Sequence, residues 1–113
     1  MELKDRFLKY VSYDTQSSEQ SRTFPSTDKQ LVLLRELADE MKALEMTEVT
    51  MDAHGYVMGT VPATPGCESA PVVGFIAHVD TSPDMSGKDV RPRTIEEYDG
   101  GDIVLNGQLT MRV

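Results

Sequence analysis

Six consecutive residues without charge or strong polarity, Val72-Val73-Gly74-Phe75-Ile76-Ala77, constrain this chain more than any other stretch. With Pro71 before it, the run predicts a strand buried on both faces, because a continuous apolar segment replaces the alternation of a half-exposed strand. It ends on His78-Val79-Asp80, and the turn-forming Thr81-Ser82-Pro83-Asp84 follows. Side chains alternate along a strand with period two, so His78 and Asp80 are expected on one face. An imidazole beside a carboxylate at the mouth of an open sheet suits metal binding, one ring nitrogen taking the metal while the carboxylate orients the ring. The two-residue spacing alone arises more often from a structural histidine bonded to its neighbour. Location at a strand end is what favours the ligand reading.

The elements around this run follow from periodicity. Leu3, Phe7, Leu8, Tyr10 and Val11 recur at helical spacing and predict a short docking helix. Residues 13–24 are polar and aperiodic, a loop. Ser26 or Thr27 is placed to cap a second helix, with Thr27 and Gln30 at capping-box spacing. That helix runs to about Leu44, with Leu31, Leu34, Leu37, Ala38, Met41 and Leu44 on an arc of roughly 140°. Val32 falls among the charged residues opposite. Residues 48–51 and 56–61 alternate around Asp52-Ala53-His54-Gly55, a hairpin in which Gly55 supplies a positive φ. Residues 62–71 read as a surface loop, and 84–99 as irregular with an extended piece near Arg93-Thr94-Ile95. A second hairpin is expected over 103–113, turning at Asn106-Gly107.

The order helix, helix, strand, strand, strand predicts an α/β fold: a mixed β-sheet with flanking helices. Within 113 residues there is room for one domain. Three or four strands and two helices leave a sheet face thinly covered, and the sequence stops at Val113 in mid-alternation, so an incomplete domain is expected. An isolated chain of this kind is expected to self-associate or to be marginally folded.

Composition narrows the function classes. Eleven basic against nineteen acidic side chains give a net charge of -8, which disfavours nucleic acid and anionic membrane surfaces as partners. One cysteine, seven methionines and a charged first hexapeptide without a signal-type apolar core suit a cytoplasmic protein. His54, beside Gly55 in a turn, reads as a solvated residue. Asp84, Asp89, Asp99 and Asp102 read as solvated loop carboxylates. Cys67 has no cationic neighbour in sequence to make it a nucleophile. Ser82, Ser86 and Gly87 read as turn residues, and Gly100-Gly101 lacks the lysine of a phosphate loop.

The wider string around His78-Val79-Asp80-Thr81-Ser82-Pro83-Asp84 closely resembles the first metal-site motif of the peptidase T family, the tripeptide aminopeptidase branch of the M20 dinuclear zinc metallopeptidases. Phe7-Leu8-Lys9-Tyr10-Val11-Ser12, Asp14-Thr15-Gln16-Ser17, Pro25-Ser26-Thr27, Ser86-Gly87-Lys88 and Gly100-Gly101-Asp102-Ile103 extend the resemblance over nearly the whole chain. It implies that the chain is the amino-terminal part of a zinc-exopeptidase-like catalytic domain. His78 would be a zinc ligand and Asp80 the active-site carboxylate that orients its ring. The family uses two zinc ions, an activated water and a glutamate base to release the first residue of a short peptide.

Nothing after Asp102 matches the family's remaining ligands or base, and the inserted lid and dimer-contact domain is absent. One ligand falls short of the three of a catalytic zinc, so the chain alone is expected to be inactive. The parent is expected to be a homodimer acting on tripeptides. The competing expectation is a non-enzymatic interaction module that recruits partners through an exposed sheet edge.

Overall fold

The second helix is the element on which the first hairpin packs and to which the first helix is tied, and its sequence shows why. In the computed structural model, which describes residues 2–113, α2 spans Gln30–Ala43 and buries Gln30, Leu33, Leu34 and Ala38. Leu34, Ala38 and Met41 lie along one stripe at helical spacing, and Val32 on the far side is exposed. Leu33 joins the buried set although it lies outside the predicted arc. Leu44, at the C-terminal end of that arc, is half exposed.

The stripe rests on a hairpin of β1 (Thr47–Met51) and β2 (Val57–Thr60), paired antiparallel as the alternation predicts. The turn between them is built by Asp52, whose Oδ1 accepts from the backbone N–H groups of His54 and Tyr56, both at 2.9 Å. Gly55 has φ 87°, and a Cβ there would lie 2.9 Å from Leu34 Cδ1. Glycine is needed twice over: for the left-handed backbone and for the approach of the helix.

α2 ends in a Schellman arrangement. Met46 N–H donates to Met41 O at 3.1 Å and Glu45 N–H to Lys42 O at 2.9 Å, with Glu45 itself left-handed at φ 60°. Its start departs from the expected capping box: Lys29 occupies the cap position with no side-chain cap bond. Thr27 Oγ1 instead donates to Gln16 O at 2.9 Å, while Ser26 Oγ accepts from Ser18 N and Gln30 Nε2. Both hydroxyls serve the preceding loop, and Ser26 also the Gln30 side chain in the first turn of α2.

α1 (Leu3–Tyr10) forms as expected but buries none of its residues. Polar contacts hold it to α2: Lys9 pairs with Glu36, Tyr10 Oη donates to Glu40 Oε2, and Arg6 Nε stands 3.0 Å from Glu40 Oε1 as an ion pair. Burial, reinforced by the hydrogen bond to Glu40, pushes the Tyr10 hydroxyl up to about 12.

The remaining strands, β3 (Ile103–Asn106) and β4 (Leu109–Met111), form a second antiparallel hairpin. Its connection falls on Gly107 and Gln108, one residue beyond the expected Asn106-Gly107, and the register shifts between Val104 and Asn106. The predicted piece at 93–95 is not a strand, although the Arg93 guanidinium donates to Val104 O.

Two expectations are corrected. Residues 72–77 form no strand, and Val72, Phe75 and Ile76 are 99%, 94% and 101% exposed. In place of one mixed sheet, the described residues form two separate two-stranded antiparallel sheets. A central strand needs neighbours to take its backbone groups and layers to take its side chains. The two hairpins pair internally and supply neither. Among the described residues, the parallel component survives only as an isolated bridge between Gln16 and Thr81.

Among the described residues, no helix is long and apolar enough to cross a membrane.

Candidate metal site

His78 and Asp80 lie where the uncovered apolar run gives way to anchored chain. The anchor is the loop at 14–17. Thr81 N–H donates to Thr15 O at 3.2 Å and Ser17 N–H returns a bond to Thr81 O at 2.9 Å, the pattern of a parallel bridge about Gln16. Ser17 Oγ donates to the same carbonyl at 2.9 Å, and Gln16 Nε2 donates to Pro83 O at 2.8 Å.

The anchor is itself held. Asp14 Oδ1 accepts from Gln16 N–H at 3.2 Å in an Asx turn, and Lys29 Nζ donates to Asp14 Oδ2 at 3.0 Å. The Lys29 ammonium keeps the Asp14 carboxyl below the usual carboxylate range. Thr15 is buried, and Gly87 passes so near that a Cβ on it would lie 3.0 Å from Asp14 Oδ1. Three segments distant in sequence, 14–17, 26–30 and 81–87, therefore meet at one point.

On this base the imidazole and the carboxylate meet, although not on the strand the sequence predicts, His78 Nδ1 lying 2.9 Å from Asp80 Oδ1. A carboxylate only accepts, so in the neutral ring this contact places the proton on Nδ1 and leaves the Nε2 lone pair to a ligand. The His78 side chain is 82% exposed, so Nε2 is open to a ligand. This fits one first ligand of a zinc site together with its orienting partner.

The described residues do not complete such a site, for no group of three or more His, Cys, Asp or Glu side chains is gathered as a metal ion requires. Asp84 accepts from Ser82 Oγ at 2.8 Å, Asp99 from Gly101 N–H at 2.9 Å, and Asp102 from Val113 N–H at 3.3 Å. Each is occupied in its own turn or hairpin. His54 is exposed in the first hairpin's turn, 4.0 Å from Asp52, and Cys67 is an exposed free thiol.

The 14–17 loop is what reading the sequence as a polar, aperiodic stretch overlooks. Asp14-Thr15-Gln16 carries the Asx-turn signal, but its partners at Thr81 and Pro83 are more than 60 residues away. Local pattern does not reach that far.

By sequence, the chain is similar to proteins named peptidase T. The chain is 58% identical over 102 residues to peptidase T of Caldanaerobacter subterraneus, covering 90% of the chain and 25% of that protein. It is 54% identical over 102 residues to peptidase T of Clostridium novyi, with 90% and 25% covered. With peptidase T of Bacillus velezensis it shares 52% over 110 residues, 97% of the chain and 27% of the relative. The chain is thus a homologue of peptidase T along nearly its whole length, and it spans about a quarter of the length of the curated relatives it matches. No family model matches it.

Proposed function

We propose, on the premise that a chain this close to peptidase T carries part of its chemistry, that it is the amino-terminal part of the catalytic domain of a zinc-dependent aminopeptidase that releases the first residue of tripeptides. The observation that carries this reading is the 2.9 Å contact between His78 Nδ1 and Asp80 Oδ1, which leaves Nε2 free. His78 would be the member of the pair that holds zinc. Asp80 keeps the proton on Nδ1, fixes the plane of the ring and raises its basicity. When bound, zinc supplies a Lewis acid and lowers the pKa of water into the neutral range.

The other ligands and the general base are not gathered among the described residues, so the chain by itself is inactive. Incubated with zinc and a tripeptide, it should give no turnover above a His78→Ala control. Splicing the chain in place of the matching quarter of a full-length peptidase T tests the rest. The hybrid should hydrolyse tripeptides, and Asp80→Asn should weaken zinc affinity or activity roughly 10–100-fold. A hybrid that keeps its full rate after His78→Ala and Asp80→Ala would sink the reading.

The exposure of Val72, Phe75 and Ile76 favours a second reading, a non-enzymatic module that recruits a partner to this run. A hybrid that folds, binds zinc and has no peptidase activity would favour it.

A further inference from the structure

We infer that Gln16 is a positioning residue for the His78–Asp80 pair, acting through the chain that immediately follows Asp80. The pair needs such a support: residues 72–77 before it have no ladder, and His78 makes its bond to Asp80 within an exposed segment. Behind it, Gln16 sits at the centre of the bridge to Thr81.

The backbone groups of Gln16 face away from the site. Its N–H goes to Asp14 and its C=O to Thr27, which tie the loop to the start of α2. Its carboxamide goes the other way, spanning to Pro83 O. Thr81 is thus held by the main chain of Thr15 and Ser17 and by the Ser17 hydroxyl, and the Gln16 amide fixes the chain two residues on, at Pro83. A fixed Thr81 sets the direction in which Asp80 leaves the loop, and Asp80 sets the ring of His78. This assignment rests on the zinc-ligand reading of His78 for its functional meaning, while the positioning itself is a property of the chain alone.

The test uses the whole chain labelled with nitrogen-15 and a Gln16→Met variant, which keeps side-chain length and removes the amide donor. The ring nitrogens of His78 report the fraction of Nδ1–H tautomer, and zinc titration compares occupancy at His78 with that at His54, which lies in the β1–β2 turn, outside the 14–17 loop. The methyl signals of Leu33, Leu34 and Ala38 report whether the α2 core is intact. In Gln16→Met the Nδ1–H fraction should fall and the ratio of His78 to His54 zinc occupancy should drop roughly two- to tenfold, the span that loss of one hydrogen bond commands.

An unchanged tautomer fraction with an intact core overturns the inference. If Gln16→Met disturbs the core, Gln16→Asn carries the same test, since it keeps the amide but is one methylene short of Pro83. Wild-type His78 that binds zinc no better than His54 counts against the ligand reading. In that case the tautomer fraction alone still decides the role of Gln16.

Discussion

Gly55 meets two requirements that no other residue can meet together. A side chain there would be strained by φ 87° and would drive a Cβ to 2.9 Å from Leu34 Cδ1. Gly55→Ala should therefore cost about 1–3 kcal/mol, from the left-handed backbone and from overpacking, read as a lower urea midpoint for the hairpin and α2 signals. Asp14 offers a test by pH. Its carboxyl is depressed chiefly by the hydrogen bond from Lys29, so its contribution is complete above the pKa of an unfolded aspartate, about 3.9, and is lost as pH falls through the lower folded value. The protection of the Ser17 amide, whose N–H bonds Thr81 O, measured against the intrinsic exchange rate at each pH, should fall as the solution is taken below pH 4. In Asp14→Asn that protection should be low already at pH 7 and show no further acid step. An acid step equal in both proteins would rule Asp14 out as its source. The contact of His78 with Asp80 spans only two residues and forms without the strand from which the sequence reading derived it. The bond of Gln16 to Pro83 was not legible in the sequence, because it spans 67.

At the level of elements, legibility follows how far each one carries its own partners. α2 and the β1–β2 hairpin bury one another's apolar faces, and their residues announce them by period and by the turn at Gly55. α1 announces itself equally clearly, yet Leu3 and Phe7 remain 82% and 63% exposed, so its amphipathic face outruns what the chain offers to cover it. The run at 72–77 is the extreme case: strand propensity is present, but a ladder is a property of two segments, and no second segment aligns with it. The end of α2 carries a removable cost. Glu45 takes the left-handed position of the Schellman turn without being glycine. Glu45→Gly should stabilise the chain by about 0.5–1 kcal/mol, the left-handed penalty less the added entropy of glycine. A melting temperature that falls on this substitution would mean that the Glu45 side chain contributes something its backbone does not show.

For the molecule as a whole, exposed area tells the same story. A folded protein of 12.5 kDa is expected to expose about 6,200 Å², whereas this chain exposes 9589 Å². Its radius of gyration is 17.8 Å against about 13 Å for a close-packed domain of this length. Val72, Phe75 and Ile76 alone leave roughly 5–9 kcal/mol of burial unrealised, taking about 1.5–3 kcal/mol for each side chain. The isolated chain should therefore self-associate at micromolar concentration in sedimentation experiments, and the double substitution Phe75→Asp with Ile76→Asp should shift it toward monomer. A wild-type chain that sediments as a monomer and melts in one sharp transition would contradict this. The bridge between Gln16 and Thr81 also sets an order of assembly. Everything that receives Thr81, from the 14–17 loop to the start of α2, lies in the first 30 residues, so during synthesis the socket is finished long before the plug leaves the ribosome. The histidine that follows the greasiest stretch of the polypeptide is thus tethered as it emerges, and the interval in which that stretch can wander is cut short.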